Sequence, residues 1–219
     1  MTSPLARTRP MEEDILVTEA EAKRLQKNKE TLIIGMRRYP IVSKTLMRST
    51  VQVGDYLEST INRYLKEPDE AAGGKPYLSI VPPYRGLTHS FRFYLTRYES
   101  VLQPLFQPRL VEMLSGEGAL ERQRILEALD RFPILNPTTM QSALGPQSAQ
   151  YFRPHLEALV KKGTVTAWHE DLLDPEKRDS TKRMIREKIT MRGVRYFLTE
   201  HVELLQPFLI SSAEEKNLR

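Results

Sequence analysis

The 219-residue sequence contains no cysteine. That absence excludes disulfides, thiol nucleophiles and thiolate-based zinc sites together. Histidine is scarce: His89, His155, His169 and His201 are the only four, and none stands at an HExxH or other metal-ligand spacing. No stretch approaches the roughly 20 consecutive apolar residues that cross a bilayer, so no membrane span is expected. The opening MTSPLARTRPMEEDILV has no apolar h-region between its basic residues and its acids, and no secretory signal is expected. Phosphate-cradling chemistry is missing as well. Gly73-Gly74-Lys75 lacks the upstream glycine and the following Ser or Thr of such a loop and reads as a turn. No serine sits in a nucleophile elbow, and Asp14 with Glu21 and Lys23 falls on a polar helical stretch rather than on strands converging at a cleft. These gaps predict no cofactor, no metal and no enzymatic activity.

What remains is the composition of a globular protein, 40% apolar and 28% charged, with 33 Lys and Arg against 28 Asp and Glu, a formal net charge of +5. Its most informative feature is internal. RRYPIVSKTLM at 37–47 resembles DRFPILNPTTM at 130–140, with Arg38, Pro40, Ile41, Thr45 and Met47 recurring as Arg131, Pro133, Ile134, Thr138 and Met140. FRFYLTRYESVLQPLF at 91–106 resembles VRYFLTEHVELLQPFL at 194–209, with Arg92, Leu95, Thr96, Leu102, Gln103 and Pro104 recurring as Arg195, Leu198, Thr199, Leu205, Gln206 and Pro207. Two blocks in the same order predict a tandem duplication. The expected organisation is a 1–28 N-terminal segment, partly disordered with a short helix opened by a Thr18-x-x-Glu21 capping box; a first unit over 29–116; a second over 117–210 with a long basic wing; and a 211–219 tail.

Periodicity fills in each unit. Leu32, Ile33, Met36 and Tyr39, like Ile125, Leu126, Leu129 and Phe132, form the buried stripe of a first helix. Each runs into a proline, Pro40 or Pro133, which marks a turn. Ser43 and Asn136 stand at the N-cap of a second helix, with Pro137 suited to N1. A third helix follows, its apolar face Leu57, Ile61, Tyr64 and Leu65 in one unit and Phe152, Leu156, Leu159 and Val160 in the other. The latter is closed by Lys161-Lys162-Gly163 with a glycine C-cap. The period then shifts towards 2 and predicts a hairpin with a short tip in the first unit and a long polar tip, from Asp171 to about Arg186, in the second. A closing helix completes each unit. Trp168 and the aromatics at 91, 93, 94, 196 and 197 are expected to be sheet and core residues.

The order helix, helix, helix, hairpin, helix in about 80–90 residues resembles the winged helix-turn-helix family. The run Ser148-Ala-Gln-Tyr-Phe-Arg-Pro-His-Leu-Glu-Ala-Leu-Val-Lys-Lys-Gly-Thr-Val165 is similar to the recognition helix and first wing strand of bacterial winged-helix regulators, and Tyr196-Phe-Leu-Thr199 to the family's last strand. Two departures stand out: Pro154 falls inside the expected recognition helix, where it would kink the helix or reset its start, and copy one carries Asp55 and Glu58 on the face that should approach phosphates. The resemblance covers about four-fifths of the chain and implies an α+β, mostly α fold of two tandem winged helix-turn-helix domains.

The resemblance also implies a partner, double-stranded DNA, with the third helix of each unit in the major groove. The polar faces expected to reach base edges are Ser59, Asn62, Arg63 and Lys66 in the first unit and Gln147, Ser148, Gln150, Tyr151 and Arg153 in the second. Phosphate contacts are expected from Lys44 and Arg48, which belong to a 29–66 stretch with seven basic residues against three acids, and from Arg85 at the first hairpin tip. In the second wing, 177–188 holds six basic residues against two acids, which adds Lys177, Arg178, Lys182 and Arg183. The implied function is that of a cytoplasmic, nucleoid-associated transcriptional regulator or plasmid or phage replication or maintenance factor. The alternative is a scaffold of paired winged helices, similar in architecture to the small subunits that bind the kleisin of chromosome-organising complexes. It would dock a protein partner or self-associate through the apolar ends of its closing helices, LQPLF and LQPFL.

Overall fold

The computed structural model describes residues 19–50, 57–82, 91–107, 114–145, 152–188 and 193–210. The fold is α+β and mostly helical, with small antiparallel sheets. Helix α1 (Glu19–Arg38) buries Leu32 and Met36, and Tyr39 just beyond it, before Pro40 ends it. It begins well before residue 29, so the boundary expected between 28 and 29 falls inside a continuous helix. Thr18, the expected capping residue, and the 211–219 tail lie outside the described residues. Strand β1 (Val42–Ser43) leads into α2 (Lys44–Thr50), where the Ser43 Oγ accepts the Leu46 amide at 3.2 Å. Helix α3 (Leu57–Tyr64) turns Leu57, Ile61 and Tyr64 inward. A tight excursion, β2 (Pro68–Asp69) and β3 (Lys75–Pro76), precedes the hairpin of β4 (Leu78–Ile80) and β5 (Arg92–Leu95). The closing segment is α4 (Glu99–Leu102), flanked by 3-10 turns at Thr96–Tyr98 and Gln103–Leu105.

The second half runs through α5 (Ala119–Arg131), α6 (Pro137–Leu144), α7 (Phe152–Lys161), β6 (Val165–Trp168), α8 (Arg178–Glu187), β7 (Arg195–Leu198) and α9 (Val202–Leu205), with 3-10 turns again on either side of the last helix. Helix α5 starts at Gly118, whose φ of 66° is left-handed and whose missing side chain leaves room for the His155 ring. Asn136 and Thr139 form a capping box at the start of α6, with Pro137 at N1. Pro154 sits in the first turn of α7, where its missing N–H costs no intrahelical bond, so the described helix carries no break there.

The halves agree in register as well as in order. Val42 pairs with Phe93, and Leu135 bridges Tyr196. The Ser79 and Thr96 hydroxyls lie 2.8 Å apart across the first hairpin, and those of Thr166 and Thr199 lie 2.9 Å apart across the second. Arg92 donates to the Phe106 carbonyl at 2.8 Å, and Arg195 to the Phe208 carbonyl at 2.9 Å. One apolar cluster runs through both halves. Across the junction α2 packs on α6, Asn136 Nδ2 donates to the Tyr39 hydroxyl at 2.6 Å, and Arg92 donates to the Arg131 carbonyl at 3.1 Å.

Two expectations need correction. The long tip between β6 and β7 is built around a helix, α8, because Thr181 and Ile185, one turn apart, are both buried and seat it on the 3-10 turn Glu170–Leu172. Asp179 in its first turn and Arg186 in its last also suit the helix dipole. The apolar ends of the closing helices are not exposed: Leu102, Leu105, Phe106, Leu205, Phe208 and Leu209 are buried, and the Phe208 ring meets Tyr98 of the first half edge-on at 5.0 Å. Burying them satisfies the same apolar surface that a partner would otherwise cover.

Candidate nucleic-acid interface

Helix α8 carries the densest exposed positive charge of the second half. Lys182, Arg183 and Arg186 are exposed and, at about 100° per residue, share a sector turned away from Thr181 and Ile185. Asp179 shares the sector and lies 3.9 Å from Lys182. Lys177 and Arg178 belong to the base of the helix instead. Lys177 lies 3.4 Å from Asp174 and 3.8 Å from Asp171, and the Arg178 Nε donates to the Leu172 carbonyl at 3.0 Å. Of the four basic residues expected here, the structure therefore gives Lys182 and Arg183 to the outer face and ties Lys177 and Arg178 into the turn below. Arg186 joins the outer face. Its signal in the sequence was the Lys182–Arg186 spacing alongside Thr181–Ile185, the i, i+4 mark of a two-faced helix.

In the first half, Ser59, Asn62 and Arg63 are exposed on α3, Lys66 is exposed in the turn just after it, and Arg48 is exposed on the neighbouring α2. This surface is less positive than its basic residues alone imply. Arg63 donates to Glu67 at 3.0 Å, and Lys44 meets Glu58 at 2.5 Å. The Lys44 hydrogen bond and charge hold the Glu58 carboxyl below its ordinary range. Asp55, the other acid expected on this face, lies outside the described residues. Lys29 is drawn inward: its ammonium reaches Glu67 at 2.9 Å and lies 3.9 Å from the centre of the Tyr77 ring. Partial burial acts against the Glu67 charge, yet the bonds from Lys29 and Arg63 win and lower its pKa.

On α7, Arg153 is exposed and donates to Glu157 at 3.0 Å; Pro154, Glu157, Ala158, Lys161, Lys162 and Gly163 are the other exposed positions of the second half's third helix and its cap. Gln147, Ser148, Gln150 and Tyr151 lie outside the described residues, as does Arg85 in the first hairpin tip. The aromatics behave as core, with Phe93, Tyr94, Tyr196 and Phe197 buried. Burial pushes the Tyr196 hydroxyl well above its ordinary pKa. Trp168 is buried against the Arg195 guanidinium, 4.2 Å from its ring centre. Phe91 departs from the expectation: it is 72% exposed just before β5, on the same side of the hairpin as Ile80.

Among the described residues no group of His, Asp and Glu is placed to hold a metal ion, and no helix is long and apolar enough to cross a membrane. No protein-family model matches the chain, and neither the curated proteins nor the solved structures contain a similar one.

Proposed function

We propose that the chain is a non-enzymatic double-stranded DNA-binding protein built of two winged helix-turn-helix units related by duplication, acting as a transcriptional regulator or as a replication or maintenance factor at the nucleoid. The observation that carries this reading is α8, a helix inserted between the two wing strands that exposes Lys182, Arg183 and Arg186 on one face. Basic groups so placed neutralise phosphates and release counterions, which supplies affinity without sequence information. The matched order and register of the two halves support the duplicated unit. Discrimination falls to the third helices, where Asn62 and Arg63 in the first half and Arg153 in the second can make the forked contacts that adenine and guanine accept.

The test is affinity for duplex DNA as a function of salt. A steep loss with added salt is expected, and replacing Lys182, Arg183 and Arg186 together with Ala should flatten the slope by about one per lost phosphate contact on every sequence alike. A chain that binds no duplex at low salt refutes the reading. The alternative, a scaffold for a protein partner, loses its first motive with the burial of the closing-helix ends and keeps, among the described residues, the exposed apolar side chains of Ile80, Phe91, Leu120, Leu173 and Met184. A protein that stays bound through high salt and nuclease treatment favours it.

A further inference from the structure

The two halves meet through the same element of each. Helix α2 packs on α6, and the two helices hold equivalent places: Ser43 and Asn136 cap them alike, and Met47 and Met140 are fully buried at matching positions. Repeats stacked by translation meet head to tail, one face of the first against a different face of the second. An element that meets its own counterpart marks a two-fold relation instead. No other pair of elements makes as broad a contact across the junction among the described residues. The flanking contacts, Tyr39 to Asn136 and Arg92 to Arg131, start from the residues that open the paired helices and from the strands beside them. The shared core means that the halves cannot part without exposing it.

We infer that the chain is an internal dimer: α2 and α6 straddle an approximate two-fold axis, and the DNA it takes is an inverted pair of unlike half-sites occupied by one chain. This rests on the DNA-binding reading above. A two-fold places equivalent surfaces at the same height on either side of its axis. A duplex has local two-folds of its own, which is why two-fold dimers take inverted half-sites about one turn apart. Here both half-site readers lie in one polypeptide, so inversion does not require identity. Only the second half carries α8, whose cationic face contacts phosphates of any sequence; the first half instead carries the β2–β3 excursion, closed by a 2.9 Å ion pair of Arg97 with the buried Asp69. The half-site under the second half therefore gains contacts that carry no sequence information and that the first lacks.

Selection of bound sequences from a random duplex library with the full chain, followed by native mass spectrometry of the chain on an enriched duplex, tests this. The expected result is two unlike elements, inverted with respect to each other at fixed spacing, with one chain per duplex. Moving the two apart by about half a helical turn should lower affinity about tenfold or more. Enriched direct repeats, a single uninterrupted element indifferent to its surroundings, or two chains per site would overturn the internal dimer and leave duplex binding standing. No enrichment together with no affinity at low salt would overturn both.

Discussion

The first and second halves share a frame and differ in where each has been lengthened. In the first, the extra residues fall between the third helix and the hairpin, as β2 and β3, where Asp69 pairs with Arg97 and Lys75 with Glu99. In the second, they fall between the hairpin strands, as α8, and Lys182, Arg183 and Arg186 face outward. An insertion beside the frame can serve packing or binding, and the sign and placement of its charges separate the two. Equivalent positions carry the fold in both halves, while the insertions carry the largest differences between them.

If that division is right, the largest effects come from the shared frame. Met47→Ala and Met140→Ala each empty a fully buried site and should cost about 2–5 kcal/mol. Because the core is continuous, calorimetry should show a single transition moved by either change. Two transitions, with only one moved, would break the picture of a joined pair. Next comes the binding asymmetry. Arg63→Ala should lose about 1–3 kcal/mol of discrimination between specific and random duplex, whereas Lys182→Ala with Arg183→Ala should weaken both duplexes equally. Arg153→Ala tests whether α7 reads bases as α3 does, and equal losses on both duplexes would remove it from the reading set.

Smaller effects sharpen the comparison of caps. Asn136 anchors a full capping box and also reaches Tyr39, while the Ser43 side chain accepts one amide. Asn136→Ala should therefore cost about 1–2 kcal/mol and Ser43→Ala nearer 0.5–1 kcal/mol in urea unfolding. The smallest effect is in acid. Glu67 has a lowered folded pKa, so its contribution is in place above the ordinary carboxylate range and is lost as pH falls through the folded value. Stability of Glu67→Gln should trail the parent at pH 7 by less than about 1 kcal/mol, and the gap should close as pH falls through the lowered folded pKa; a constant gap would assign the loss to packing rather than charge.

Much of the frame was legible because the two halves carry the same boundary signals at matching places. Pro40 and Pro133, Ser43 and Asn136, and the recurring Leu-Thr at 95–96 and 198–199 each mark a boundary whose local chemistry the structure reproduces. Helix α8 was hidden because its inward face is only Thr181 and Ile185, too little apolar surface to stand out from six basic neighbours. The partners of Lys44, Arg63 and Arg153 were equally hidden. A charge count records Glu58, Glu67 and Glu157 but cannot say which cation each one holds. The burial of the closing-helix ends depended on a contact across the junction, Tyr98 with Phe208, that neither half announces alone.

The Arg92 guanidinium, lodged between the Phe106 carbonyl of its own half and the Arg131 carbonyl of the other, bears on how such a gene can be cut. Burial already opposes its charge. Separating the halves would strip it of one acceptor and bare the methionines on either side of the junction. Each half is a recognisable module in order and register, yet neither is portable, and any shuffling of this protein into new combinations would have to carry both together.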